Sequence, residues 1–119
     1  MITEITFPGK VAGMNGKFGL LRMHWRKRNK LRDTYVWWIK SKTTNKHLGA
    51  VKWTLTRYGL RPMTDYDNIV STGKIIADAF VISGVIVDDK QSIIQQREYL
   101  QERVSKKEDQ KTVIKIEDL

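Results

Sequence analysis

The chain contains no cysteine. That excludes disulfides, thiolate-bound zinc and a thiol nucleophile. Its two histidines, His24 and His47, are too few for a histidine-rich metal centre, and neither is expected to be a ligand. No apolar run approaches the roughly 18–20 residues that a membrane span needs. The opening Met1–Lys10 lacks the charged start and apolar middle of a signal peptide, so a protein of the cytoplasm, with no membrane partner, is expected. Acidic residues are scarce in one half only. Residues 1–61 hold 14 Lys and Arg against two acids, a balance of +12; residues 62–119 hold eight against 11, a balance of −3; together these give the overall +9. A basic half implies a polyanionic partner, because each neutralised phosphate releases condensed counterions. Repeats and low-complexity tracts are also absent. At 119 residues the chain is expected to form one domain with a modest core, which a dimer interface would enlarge.

What is present has the alternations of a mixed structure. Ile2–Phe7 alternates and stops at Pro8-Gly9, as a strand does. Residues 9–30 read as a glycine-containing loop with the basic run Arg26-Lys27-Arg28. From Leu31 to about Lys42, apolar residues at 31, 35, 38 and 39 predict an amphipathic helix, with a strand competing because of Tyr35–Ile39. Gly49–Tyr58 alternates as a strand. Asn68–Ser83 is the clearest helix, with Asp67 or Asn68 able to cap it, Gly84 able to end it, and one polar stripe of Asp67, Ser71, Lys74 and Asp78. A helix apolar over the rest of its circumference is a buried one, often at a subunit interface. Val85–Val87 reads as a short strand. Ile93–Val104 is open between helix and strand, and the turn Ser105–Gln110 before a strand Thr112–Glu117 suggests a hairpin. The fold class expected is α+β: a single small domain, a mixed sheet with helices packed against it, in a homodimer.

The chemistry is concentrated in Asp65-Tyr66-Asp67-Asn68, Lys74 and Asp88-Asp89. Two aspartates at i and i+2 in extended backbone project to one side. Lys74 lies two helical turns beyond Asp67, and a short βαβ-like return from the helix would carry Asp89 back toward them. Converging carboxylates repel unless a cation neutralises them. Oxygen ligands suit Mg²⁺, with Mn²⁺ as a substitute. Such an ion supplies an activated water for phosphodiester hydrolysis, and a lysine beside it balances charge developing on the phosphate. The bland alternative for Asp65 and Asp67 is a turn with an N-cap; for Lys74 it is a solvated i, i+4 pair with Asp78, which reads as structural.

The pattern Asp65-x-Asp67-Asn68, Lys74-x-x-x-Asp78-Ala79, Gly84-x-x-x-Asp88-Asp89 resembles the signature of RusA-like Holliday junction resolvases (crossover junction endodeoxyribonucleases) of the phage and prophage type. The resemblance is specific over about residues 61–92 and looser at Ile5–Gly9 and Asn15; the lysine stands three residues farther from DxDN than in the founding bacterial enzyme. It implies a metal-dependent endonuclease domain over 1–119 that resolves four-way DNA junctions as a homodimer, by paired symmetric nicks leaving 5′-phosphate and 3′-hydroxyl ends. Asp65, Asp67 and Asp89 would bind Mg²⁺ (or Mn²⁺), Lys74 would be catalytic, and Asn68 and Asp88 would support the ligands. No small-molecule cofactor is implied.

The DNA contacts expected are Arg22, Arg26, Lys27 and Arg28, with Phe18 and Trp25 placed to stack or wedge, and Arg57 and Arg61 on the approach to DxDN. Trp37, Trp38 and Trp53 are expected in the core or a dimer interface, and Lys106–Asp109 in a solvated turn. Two other readings compete: a nuclease for other branched or flap nucleic acid, and a non-catalytic branched-DNA-binding protein of the same fold.

Overall fold

The computed structural model describes residues 1–9, 25–61 and 66–119, without the side chains of 66–68, 71 and 72. Four strands form one sheet: β1 (Ile2–Pro8), β2 (Val51–Gly59), β3 (Ile94–Arg103) and β4 (Lys111–Asp118), in the order β1-β4-β2-β3. β4 pairs antiparallel with both β1 and β2, whereas β2 and β3 run parallel. Two helices complete the fold, α1 (Trp25–Lys42) and α2 (Tyr66–Ile82). It is a single α+β domain with a mixed sheet, as expected.

The strands alternate because only one face of the sheet is covered. Thr3, Ile5 and Phe7 of β1, Val51, Trp53 and Leu55 of β2, and Thr112, Ile114 and Ile116 of β4 are buried. Their odd or even neighbours are half-buried or exposed. On the covered face the aromatic rings meet edge to face. Phe80 of α2 lies 5.5 Å from Trp53 and 6.1 Å from Phe7, and Tyr35 of α1 lies 5.4 Å from Phe7. Such contacts contribute roughly 0.5–1.5 kcal/mol each beyond the area buried. α2 comes close to the sheet because position 73 is glycine: a Cβ there would stand 2.9 Å from Leu55 Cδ1 and 3.4 Å from Tyr99 Cε1.

Several expectations are corrected. The first helix begins at Trp25, not Leu31, so the Arg26-Lys27-Arg28 run is a helical turn rather than loop. Its helical reading over the strand alternative is explained by Tyr35 and Ile39, which are four apart and both buried. Of the two places expected for Trp37, the core is excluded: it is 67% exposed, because one residue's step turns it about 100° away from Trp38. Trp38 is half-buried and donates its indole N–H to the Thr6 carbonyl at 2.9 Å; Trp53 is in the core as expected. Val85–Val87 forms no strand, only an isolated parallel bridge between His47 and Ile86. Residues 94–103 are strand. The hairpin with β4 does not form, because β2 lies between β3 and β4 and the connection passes over its end through a 3-10 turn at Lys107–Asp109.

The second helix starts at Tyr66, which puts Asp67 and Asn68 inside its first turn instead of before it. Gly84 ends it as expected, at φ +83°. The Val85 N–H reaches the Phe80 carbonyl (3.1 Å) and the Gly84 N–H that of Val81 (3.0 Å). This pair of bonds is the Schellman motif, which satisfies the last carbonyls and turns the chain back. Among the described residues no helix is long and apolar enough to cross a membrane.

β1 and β4 are tied by a polar chain that is buried at its centre and reaches solvent at Asp118. Asn45 Nδ2 donates to Thr3 Oγ1 (3.1 Å), the Thr3 hydroxyl bonds His47 Nε2 (2.7 Å), and His47 Nδ1 bonds Asp118 Oδ1 (2.7 Å). The N-terminal ammonium reaches the other Asp118 oxygen at 3.1 Å. Thr3 and His47 are almost wholly buried, so the arrangement braces β1 against β4 and offers no reachable hydroxyl.

Two outcomes are expected. Gly73→Val forces a branched side chain into Leu55 and Tyr99, and should cost roughly 1–3 kcal/mol in urea unfolding. The Asp118 carboxyl is held below the usual carboxylate range, first by its hydrogen bond from His47 and then by that from the N-terminus. A depressed acid stabilises the fold above its unfolded value, about 4, and ceases to do so as pH falls through the lower folded value. The melting-temperature gap between wild type and Asp118→Asn should therefore be full at pH 7 and close below about pH 4.

Candidate functional site

β2, α2 and β3 form a βαβ unit, and the expected site lies along it. Lys74 and Asp78 are one helical turn apart on α2, Lys74 exposed and Asp78 half-buried. After the turn at Gly84 the chain returns to β3 through Asp88-Asp89. Asp88 folds back so that its Oδ1 accepts the Asp89 N–H at 2.7 Å. From β3, Arg97 donates through Nη2 to the Asp89 carbonyl. These contacts hold the Asp89 backbone from two sides.

The return places the Asp89 carboxyl in hydrogen-bond contact with that of Asp78. Burial is the first cause that pushes the Asp78 carboxyl above its ordinary value, followed by the charge of Asp89 and the hydrogen bond to it. The Lys74 ammonium and the Arg32 guanidinium, which comes from α1, act in the opposite direction. Arg32 also touches Asp33 at 3.3 Å, while its Nε is buried with no partner among the described residues.

Asp65 lies outside the described residues, as do Arg22, Phe18, His24 and Asn15. Asp67 and Asn68 are placed by the backbone of the first turn of α2. Eleven residues separate Asp67 from Asp78, about 16 Å along a helix axis. The structure thus brings Asp89 to Asp78, on which the Lys74 ammonium also acts from one helical turn away. Among the described residues no three His, Asp or Glu side chains converge.

The basic residues fall into two groups. Arg26, Lys27 and Arg28 are all exposed in the first turn of α1, beside Trp25, which is 56% exposed and has the Arg26 guanidinium 5.3 Å from its ring centroid. That turn contains no acid. Cations at a helix N-terminus oppose the macrodipole, at a cost of roughly 0.3–1 kcal/mol each. Arg57 and Arg61 stand at the far end of β2. Arg57 is half-buried, and burial lowers its pKa; its Nη1 donates to the Arg61 carbonyl at 2.8 Å. His47 belongs to the brace between the termini.

Sequence reasoning passed over Asp78, Arg32 and Arg97 as parts of this site. Asp78 carried a usable signal, since it shares a helix face with Lys74 four residues earlier. Arg32 and Arg97 reach the site only through the packing of α1 and the pairing of β3, neither of which has a local sequence mark.

Compared with models of known protein families and with curated proteins, the chain matches none.

Because Asp78 is more easily protonated in the fold than free in solution, its contribution is favourable at low pH and is lost as pH rises through its raised folded value. Asp78→Asn removes the like-charge contact. In EDTA its melting temperature should exceed that of wild type at pH 7, and the gain should vanish below about pH 4. A variant less stable than wild type at pH 7 would show that the carboxyl pair is not under strain.

Proposed function

We propose that this protein is a metal-dependent, structure-specific DNA endonuclease of the RusA-like kind, acting in the cytoplasm as a homodimer that resolves four-way junctions by paired symmetric nicks. The observation that supports this reading best is the hydrogen-bonded Asp78–Asp89 pair flanked by Lys74 and Arg32. Carboxylates are drawn together there in a chain whose first half is strongly basic. Perturbed acids of this kind cluster at functional sites.

The donor set is of hard oxygens and fits Mg²⁺ or Mn²⁺. Asp65, Asp67 and Asp89 are the proposed ligands, which requires the Asp89 carboxyl to leave Asp78 for the start of α2, since Asp67 stands about 16 Å along the helix axis from Asp78. The ion, when bound, supplies Lewis acidity toward the phosphate and lowers the pKa of water.

The chain's own residues do the rest. Asp88 and Arg97 fix the Asp89 loop. Lys74, exposed and one turn from Asp78, is free to meet the phosphate and offset negative charge that develops on its oxygens. Arg26, Lys27 and Arg28, with Arg22, hold the DNA arms through phosphates while Trp25 presents a stacking face. Binding through phosphates implies recognition by shape with steep salt dependence.

The test is cleavage of an end-labelled synthetic four-way junction with Mg²⁺, Mn²⁺ or EDTA, beside Asp67→Asn and Asp89→Asn. The expected result is paired nicks at symmetric positions in either metal and none in EDTA, with each variant losing cleavage by about 100-fold or more, as when a charge-stabilising group is lost, yet still binding the junction. Equal cutting of flap, three-way and duplex DNA would replace the junction-specific reading with a general nuclease. Tight binding with no cut in either metal would replace it with a DNA-binding module.

A further inference from the structure

We propose that the carboxyl ends of β2 and β3 form a second nucleic-acid site: a groove in which Arg61 and Arg103, with the Arg57 guanidinium beside them, hold a backbone phosphate of the bound strand. This inference rests on the reading of the protein as a DNA-processing enzyme, and adds Arg103 and Ser105 to its contacts.

The pairing register carries the argument. β2 and β3 are parallel, with Arg57 level with Gln101 and Gly59 level with Arg103. Residues level with one another share a face, and alternation puts Arg57 and Arg103 on the face that holds Trp53 and Leu55. Gly59 has no side chain to fill its place on that face. The Arg57 guanidinium occupies it: a Cβ on Gly59 would stand 2.5 Å from Arg57 Nη1 and 2.8 Å from its Cζ. The position level with Arg103 is therefore taken by a second guanidinium, which is anchored on the Arg61 carbonyl.

Pairing continues one residue past the strands, where Val104 N–H donates to the Gly59 carbonyl at 2.9 Å. Arg61 and Arg103 are thus kept side by side as the two chains leave the sheet. Between them opens a groove of about 690 Å³ lined by Leu60, Arg61, Arg103, Val104 and Ser105.

Among the described residues, no carboxylate forms an ion pair with Arg57, Arg61 or Arg103. Glu102, the nearest acid in sequence, points to the opposite face by alternation. Guanidinium groups gathered at one end of a sheet, with no counter-charge among the described residues, suit an external anion, and their planar forks match the oxygens of a phosphate. Arg61 is four residues from Asp65 along the chain, so a strand held here passes toward the DxDN segment.

The experiment is fluorescence anisotropy of a labelled four-way junction in EDTA, titrated with KCl, for wild type, Arg103→Gln, Arg61→Gln/Arg103→Gln and Arg61→Lys/Arg103→Lys, with cleavage in Mg²⁺ followed in parallel. The slope of log affinity against log salt should fall by about one for the single glutamine variant and about two for the double. The lysine pair should keep most of the slope, because it keeps the charge. Arg103 is exposed on an edge strand, so unchanged melting temperatures are expected and serve as the check on folding. If wild type binds and the glutamine variants keep its slope, the groove is overturned, and the nuclease reading is then judged by the cleavage arm alone. If wild type binds with the altered slopes and never cuts, the groove stands and the nuclease reading falls. If wild type binds no junction, both fall.

Discussion

The close seating of α2 on β2 governs everything else in this molecule. Gly73 lets the helix approach Leu55 and Tyr99 to contact distance, and Phe80 locks its far end edge-on to Trp53. Once the helix axis is set against the strand, the height of Lys74 and Asp78 above the sheet is set too. The Schellman turn at Gly84 then decides where the chain re-enters, and the parallel pairing of β3 with β2 decides which residues meet beneath the helix. Asp89 reaches Asp78 because of this sequence of constraints. A wider helix–sheet spacing would separate them.

The same unit concentrates charge of one sign at each of two places. Toward the end of α2, the Asp78 carboxyl meets Asp89, and burial first, then the charge of Asp89, makes Asp78 harder to ionise. At the carboxyl ends of β2 and β3, guanidinium groups lie together on one face. Each arrangement opposes the stability of the isolated chain, and local departures from self-consistency of this kind belong to functional surfaces more often than to scaffolding. The scaffold that offsets them is elsewhere. The β1–β4 ladder and the Asn45–Thr3–His47–Asp118 chain secure the β1–β4 edge of the sheet, and the aromatic cluster of Phe7, Phe80 and Trp53 joins that edge to the βαβ unit.

Much of the fold was legible before any coordinates. β1, β2 and β4 alternate because one face of the sheet is bare. α2 was plain from its apolar circumference and the glycine that ends it. The start of α1 was not legible, because Trp25–Lys30 has no apolar period; that turn is helical as the extension of a helix anchored later by Tyr35 and Ile39. β3 was ambiguous for a related reason. Only Ile94 of its ten residues is buried and Tyr99 half-buried; the other eight are exposed and rich in charge, which leaves no binary pattern to read. The hairpin expectation failed because adjacency in sequence does not fix adjacency in a sheet when another strand can insert between.

By itself, the sequence determined the fold class, the charge asymmetry and the identity of the carboxylates and the lysine, because these follow from local periodicity and composition. It also placed Lys74 and Asp78 on one face, since helical spacing is a property of a single segment. Only the tertiary structure decided that Asp78 rather than a turn residue is the carboxyl in contact with Asp89, that Arg32 and Arg97 reach that neighbourhood, and that Arg103 comes level with Gly59. Each of those pairings joins residues from separate segments, and their distances are fixed by packing and register, which no local pattern encodes.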